Sequence, residues 1–563
     1  MQLARIITAV LVCAVATFTG CVSPGHTDIT DITKLQQRIL NQGPQDRAEN
    51  GLGLMTPKSN LPRLHTITDP KTKRVKVSLS LNEAISRALA NNTSIAISSY
   101  IPELTKQDII NAASAFDLQL NGGWSFQSSS SSTKRSNPTF GLSKRFIYGT
   151  SVQLNSSFDR SYRSGTSSTR YAGDVSIRLT QPLLRGFGLD ANLYQFRVSS
   201  LRYQTSKSEF REVVLNTLRD VMVGYYDLVR TKKDIEISAR LLRRTEAILE
   251  LIKKRREFGF KGATVIEENQ ILAAVKGRKS ALLNAQKAYQ DAQESFAVLL
   301  ADSEINVLKN PEIIPTTKLL DSKIAFSVAD QLKSALKYSP VLEQARIAIK
   351  NSDLQVRYTK NQLLPALNLD ASLRSSGSDK SQNVMWNEVL KSQRGQYNIG
   401  LSFSYPLGNR AAESRYASAR LQRQQAKIRI QRTADSVALQ VKELVRRIEL
   451  SYNNLQLQRT VYKASKKQLE GMTALYGINE KGTIEKDSVG GITPLSVNIF
   501  LQTQASIAQA ELAIAQAIQQ YNSAIVQLQA LTGELIKAQN IDLANALAEP
   551  LPETNIDSIK PKK

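Results

Sequence analysis

Two spacings of apolar residues alternate along the chain, and the order in which they alternate is itself repeated. The segment Leu79-Ser80-Leu81-Asn82-Glu83-Ala84-Ile85, with Ala88 and Leu89, returns without a gap as Phe326-Ser327-Val328-Ala329-Asp330-Gln331-Leu332, with Ala335 and Leu336. Such self-similarity marks an internal duplication. In both copies a serine is followed three residues later by an acid, the capping-box spacing that satisfies free amides at a helix start. The pattern therefore predicts leader helices from Leu81 to about Ala115 and from Val328 to about Leu364.

Beyond each leader the period changes to two. Leu367, Leu369, Ala371 and Leu373 alternate with Asn368, Asp370 and Ser372, and the return segment sets Ile399, Leu401, Phe403 and Tyr405 against Asn398, Gly400, Ser402 and Ser404. The first copy does the same with Leu118, Leu120, Trp124 and Phe126 going out and Val175, Ile177 and Leu179 coming back. These are two-faced strands. At roughly ten residues each they are long enough to cross a bilayer as tilted barrel strands, and a soluble hairpin shares the same alternation. An additional hairpin is predicted around Tyr148-Gly149, from Phe140–Phe146 and Thr150–Phe158; it either widens the wall or projects as a loop.

Each returning strand ends at a proline, in Gln181-Pro182-Leu183 and Tyr405-Pro406-Leu407, because proline cannot continue the ladder. From Asn192 to Glu257 and from Arg410 to Leu475 about 66 residues then read as helix, on the order of 100 Å of rod. Return helices, Thr264–Leu300 and Pro494–Leu531, are about half as long, as are the leaders, so a return helix and a leader stacked end to end match one rod. The arithmetic describes a wall in which continuous helices alternate with stacked pairs in coiled-coil contact. Four or six strands are too few to close a barrel, and open strand edges are not tolerated in lipid, so several chains must share one.

Composition narrows the function without overturning this picture. The formal charge of +25 comes from 74 basic residues against 49 acidic ones. They are mixed along helical stretches without a recognisable nucleic-acid motif, so a solvated face is expected and nucleic acid is not an expected partner. His26 and His65 are the only histidines and both precede the repeats, which leaves no His-based metal site or Ser-His relay in the folded body. No cofactor or metal site and no enzymatic constellation is expected. At the start, Arg5 precedes an apolar run from Ile6 to Phe18 that stops at Thr19 and Gly20 before Cys21. This reads as an export signal over residues 1–20, with Cys21 the expected acylated first residue of the mature chain.

Taken with the duplicated leaders and the helix-turn-helix tips, the corners Gln181-Pro182-Leu183-Leu184-Arg185-Gly186-Phe187-Gly188 and Tyr405-Pro406-Leu407-Gly408-Asn409-Arg410 resemble those of TolC-like outer-membrane efflux factors. The resemblance covers about residues 79–535. It implies an α+β membrane protein: a homotrimer with a transmembrane β-barrel continued by a long periplasmic α-helical coiled-coil barrel. It further implies a place in the outer membrane as exit duct of a tripartite pump or a type I secretion system, with a periplasmic adaptor and an inner-membrane pump as partners. The expected organisation is signal (1–20), extension (21–78), first repeat (79–310), linker (311–325), second repeat (326–535) and tail (536–563).

The same family pattern places a closable tip and adaptor-docking site at Gly262, Thr264 and Glu267 in the first repeat and at Gly490, Gly491, Thr493 and Pro494 in the second. Ser496 stands where the family usually has an acid, and about twelve extra residues, Ile478 to Val489, enlarge the second tip. A trimeric surface stalk or adhesin that conducts nothing is the competing expectation. Membrane strands in the middle of each repeat argue against it, since stalks place an anchor at one end.

Overall fold

The computed structural model describes residues 65–68, 75–129, 133–163, 168–258, 264–302, 304–305, 311–392, 394–476 and 494–539. Through the extension and the first repeat the chain runs β1 (His65–Thr68), β2 (Val75–Leu79), α1 (Leu81–Asn91), α2 (Thr93–Ala113), β3 (Gln119–Ser128), β4 (Thr133–Arg145), β5 (Ser151–Arg163), β6 (Ser168–Pro182), α3 (Tyr194–Glu257) and α4 (Val265–Leu300). The linker holds β7 (Glu312–Pro315), and the second repeat follows as α5 (Val328–Tyr338), α6 (Pro340–Gln362), β8 (Ala366–Asp379), α7 (Gln382–Lys391), β9 (Gly395–Ser404), α8 (Arg410–Tyr476) and α9 (Pro494–Thr532). Short helical turns lie at Ser114–Phe116, Leu189–Asn192 and Leu535–Ala538.

The helix starts follow the capping chemistry of the sequence. Ser80 N–H donates to Glu83 Oε2 at 2.8 Å and Glu83 N–H to Ser80 Oγ at 3.3 Å, which closes the box that opens α1. Ser327 caps α5 by accepting from the Asp330 N–H at 3.5 Å. The leaders, however, are each broken once rather than continuous, and at matching places: Asn92 stands eleven residues after Leu81, Ser339 eleven after Val328. At Asn92 the backbone turns extended, and its side chain accepts from Ser94 N–H (2.9 Å) and Ile95 N–H (3.2 Å) to restart the helix as α2. Ser339 precedes Pro340, whose ring excludes the helical conformation from the residue before it. Different residues thus produce the same joint.

The rods α3 and α8 have 64 and 67 residues, about 100 Å each. Along α3 the leader and the return helix stack end to end. The upper half is met by α2, where Thr105 Oγ1 lies 2.8 Å from Ser206 Oγ. At the joint Asn92 Nδ2 donates to Leu299 O at 2.7 Å and the buried Arg87 pairs with Asp302 near the end of α4. The largest core surrounds this joint and includes Leu79, Leu218, Tyr225, Phe296 and Leu300; a second, with Val441, Ile448, Tyr521 and Leu528, does the same for the other repeat.

A small sheet not expected from the sequence belts this level. β1 pairs antiparallel with β2, and β2 parallel with β7, setting Val77 opposite Ile313. Tyr225 OH donates to Leu79 O (3.0 Å) and accepts from Thr316 N–H (3.1 Å), while Tyr289 OH donates to Ile313 O (2.6 Å). Burial pushes the Tyr289 phenol up, with the Glu312 carboxylate adding to the effect. The segment between the repeats is thereby held against the rods.

The second sheet has six strands in the order β3-β4-β5-β6-β8-β9, all antiparallel. The additional hairpin, β4–β5, is therefore part of the wall and not a projecting loop.

Candidate transmembrane conduit

The registers run through all five strand pairs without a slip, so a residue row across the sheet stays on one face. One row reads Leu120, Leu142, Leu154, Ile177, Leu373 and Tyr397; the next reads Gln119, Ser143, Gln153, Arg178, Ser372 and Asn398. The first face is apolar and the second polar from edge to edge. Neither is covered by a core: Leu120 is 65% exposed and Ile399 72%. A soluble sandwich would bury that apolar face, whereas a membrane wall leaves it to lipid and gives the polar face to water. The strands, 10 to 15 residues long, satisfy the length for a tilted crossing.

Aromatic rings gather on the apolar face toward the outer end of the strands. Trp124 stacks on Phe126 at 6.5 Å, and Phe158 stacks on Tyr171 at 6.0 Å and on Trp386 at 6.3 Å. Amphipathic rings favour the headgroup level of a bilayer. Trp386 belongs to α7, which folds back from the end of β8 onto this same face with Met385 and Val389 buried beneath it. Two glycines make its seat: a Cβ on Gly377 would lie 2.4 Å from Met385 O, and one on Gly173 2.7 Å from Met385 Sδ. Ser375 Oγ donates to Val389 O at 2.6 Å and fixes the helix end.

Both edges of the sheet are open. β3 and β9 are exposed along their whole length, and among the described residues each pairs with one strand only. The polar face continues at Gln181-Pro182 and Pro406-Leu407 into the rods, with Gly186, Gly188 and Gly408 in left-handed turns at the corners. The profile of outer membrane efflux proteins matches residues 84–302 and 331–534, one stretch in each repeat. The chain belongs to the outer membrane efflux protein family. Among solved structures it is similar to the VceC outer membrane protein of Vibrio cholerae, with 16% identity and a TM-score of 0.58 over 80% of this chain and 96% of that one. It is likewise similar to the Campylobacter jejuni CmeC outer membrane channel (14%, 0.58, 82% and 90%) and to the open-state MtrE channel of Neisseria gonorrhoeae (16%, 0.57, 81% and 89%). These likenesses show a shared TolC-like fold. No curated protein matches the sequence.

At the far end of α3 this efflux protein starts its return helix α4. Thr264 caps α4 as its spacing predicts: its N–H donates to Glu267 Oε2 (2.8 Å), and Glu267 N–H donates to Thr264 Oγ1 (3.4 Å). Glu267 is 1% exposed, and its other carboxylate oxygen has no hydrogen-bond partner. Arg256 pairs with Glu268 across the turn. Pro494 is the first residue of α9, where its missing N–H costs nothing. Gly262, Gly490, Gly491, Thr493, the inserted residues 478–489 and Cys21 lie outside the described residues.

The two helical hairpins are brought together by packing. Ile252 and Ile271 of the first hairpin form one core with Phe500 and Leu501 of the second, and Arg278 Nη2 donates to Leu501 O at 2.9 Å. Burial pulls the Arg278 guanidinium below its ordinary pKa. The alternation that predicts two-faced strands does not single out the arginines of the polar face. Their signal was present: Arg178 and Arg374 fall on the polar parity of β6 and β8.

Proposed function

We propose that three copies of this chain close one barrel and form the exit duct of a tripartite efflux pump, carrying solutes out through the outer membrane. The observation that supports it most is the open six-stranded sheet, apolar on one side and polar on the other, continuous with paired rods. An even number of up-and-down strands lets β9 of one copy meet β3 of the next in the same antiparallel sense. Three copies of six strands make eighteen, a barrel large enough to hold an aqueous channel. Purified protein should run as a trimer in mild detergent and conduct ions in planar bilayers. A stable monomer, or a trimer that never conducts, sinks the duct and leaves the stalk.

The tip at Gly262, Thr264 and Glu267, with Gly490, Gly491, Thr493 and Pro494, acts in this reading as gate and adaptor-docking site. Losing one cap costs about 1 kcal/mol, little beside the packing of a trimer. Thr264→Ala with Thr493→Ala, or deletion of residues 478–489, should therefore leave assembly intact while changing resting conductance or abolishing adaptor-dependent export. If both variants conduct and export like the parent, the tips are structural turns only.

A further inference from the structure

We propose that the inner wall of the barrel makes this conduit prefer anions, with Arg178 setting the preference at mid-depth; this rests on reading the sheet as a barrel wall. The unshifted registers assign every charged strand residue to a face. Arg135, Arg145 and Arg163 of β4 and β5, and Arg170, Arg178 and Arg374 of β6 and β8, share the polar face. Against these six stand three acids among the described strand residues, Asp159, Asp174 and Asp370, leaving +3 per chain and +9 for three chains. Charges on the opposite face, Lys134, Lys144, Arg160 and Asp379, sit near the strand ends and look away from the lumen.

The arrangement of partners decides which charges act on a passing ion. Arg135 Nε lies 3.1 Å from Asp159 and Arg374 Nη2 3.4 Å from Asp174, so these two are largely neutralised in place. Asp370 is held by hydroxyls instead, accepting from Thr180 Oγ1 (2.8 Å) and Ser402 Oγ (3.1 Å). Arg145 and Arg170 donate to neutral groups, Asn192 Oδ1 (2.7 Å) and Ser378 Oγ (2.8 Å), which orient the guanidinium and leave its charge. Arg178 faces Gln153 and Ser372 across its row and is exposed, and Asp370, diagonal to it, is the aspartate already engaged by Thr180 and Ser402.

Its sequence neighbours Ile177 and Leu179 point to the lipid face, so in three copies Arg178 forms a ring of positive charge level with the apolar band. Low-dielectric walls concentrate the field of such a ring into the water they enclose. Screening limits its reach to about 10 Å at 0.1 M salt, which makes the preference partial in a wide barrel and dependent on ionic strength. The solutes this wall favours are those with net negative charge.

The test is the reversal potential of the full-length protein in planar bilayers under a KCl gradient. The parent should show a chloride-to-potassium permeability ratio above about 2 near 0.1 M salt, falling toward unity near 1 M, where the screening length is about 3 Å. Arg170→Glu with Arg178→Glu removes four charges per chain, takes the wall from +9 to −3, and should invert the preference to potassium. Arg170→Gln with Arg178→Gln takes it to +3 and should lower the ratio without inverting it, which keeps the test open if the reversed variant fails to assemble. A parent that is unselective or prefers potassium, or variants with the parent's ratio, overturns the proposal while leaving the channel. Absence of any conductance overturns the channel reading, and the proposal with it.

Discussion

Leu154→Arg should prevent assembly in the membrane, whereas Asn155→Arg, one residue on, should be tolerated. Leu154 lies in the apolar row between Leu142 and Ile177, and Asn155 in the polar one between Gly141 and Ser176. An arginine on the lipid face costs about 2–4 kcal/mol near the bilayer midplane, and a trimer carries the change in every copy. The same side chain at Asn155 enters water beside other polar groups. The informative measurement is the fraction of heat-resistant trimer recovered in lipid vesicles across a denaturant titration, compared between the two variants. Equal recovery would falsify the assignment of faces, because side chains alternate strictly and a register slip of one residue exchanges them.

A comparably large loss is expected at the joint of the first repeat. Arg87 and Asp302 form an ion pair with each side chain only 4% exposed, and Asp302 Oδ1 also accepts from Glu304 N–H at 2.9 Å. Asp302→Ala removes the buried partner of the Arg87 guanidinium, and breaking such a pair from one side costs about 3–5 kcal/mol. Glu304, 3.2 Å from Arg87 and 57% exposed, can take over part of the role, so the lower end of that range is expected. Replacing both partners with apolar residues, Arg87→Met with Asp302→Leu, should restore most of the stability, since the pair's attraction largely offsets its own desolvation. The readout is the denaturation midpoint of the single and double variants. If Asp302→Ala is neutral, or the double variant is worse than either single one, the pair does not hold the joint.

Several elements were legible because their causes are local. The capping boxes at Ser80–Glu83 and Thr264–Glu267 form within four residues, so their spacing alone announced the helix starts. Strand faces were equally readable, as alternation is a property of the strand itself. The leader joints were readable only in part. Ser339-Pro340 carries a backbone rule in its sequence, whereas Asn92 breaks its helix by a side-chain choice that an asparagine elsewhere need not make. For α7 the apolar pair Met385 and Val389 is a weak signal in ten residues, and what seats it are Gly173 and Gly377 on two other strands.

The tip is the opposite case. Its residues were located from the family resemblance and the turn chemistry, and Thr264 and Glu267 cap as their spacing predicts. Nothing in either hairpin's own sequence states that Ile271 shares a core with Phe500, or that Arg278 reaches Leu501 O, 223 residues away.

The sequence by itself determined the duplication, the lengths of rods and return helices, the strand faces and the need for more than one chain. Each follows from periodicity, capping or counting, which act over a few residues. Only the tertiary structure decided that the β4–β5 hairpin joins the wall, that β2 and β7 belt the joint, and which arginines of the inner face lie beside an aspartate. Those outcomes depend on which distant segment supplies the neighbour. Arg374 lies 3.4 Å from Asp174 of the other repeat, whereas Asp370, at the equivalent diagonal from Arg178, is held by the Thr180 and Ser402 hydroxyls, and Arg178 faces Gln153 and Ser372 across its row.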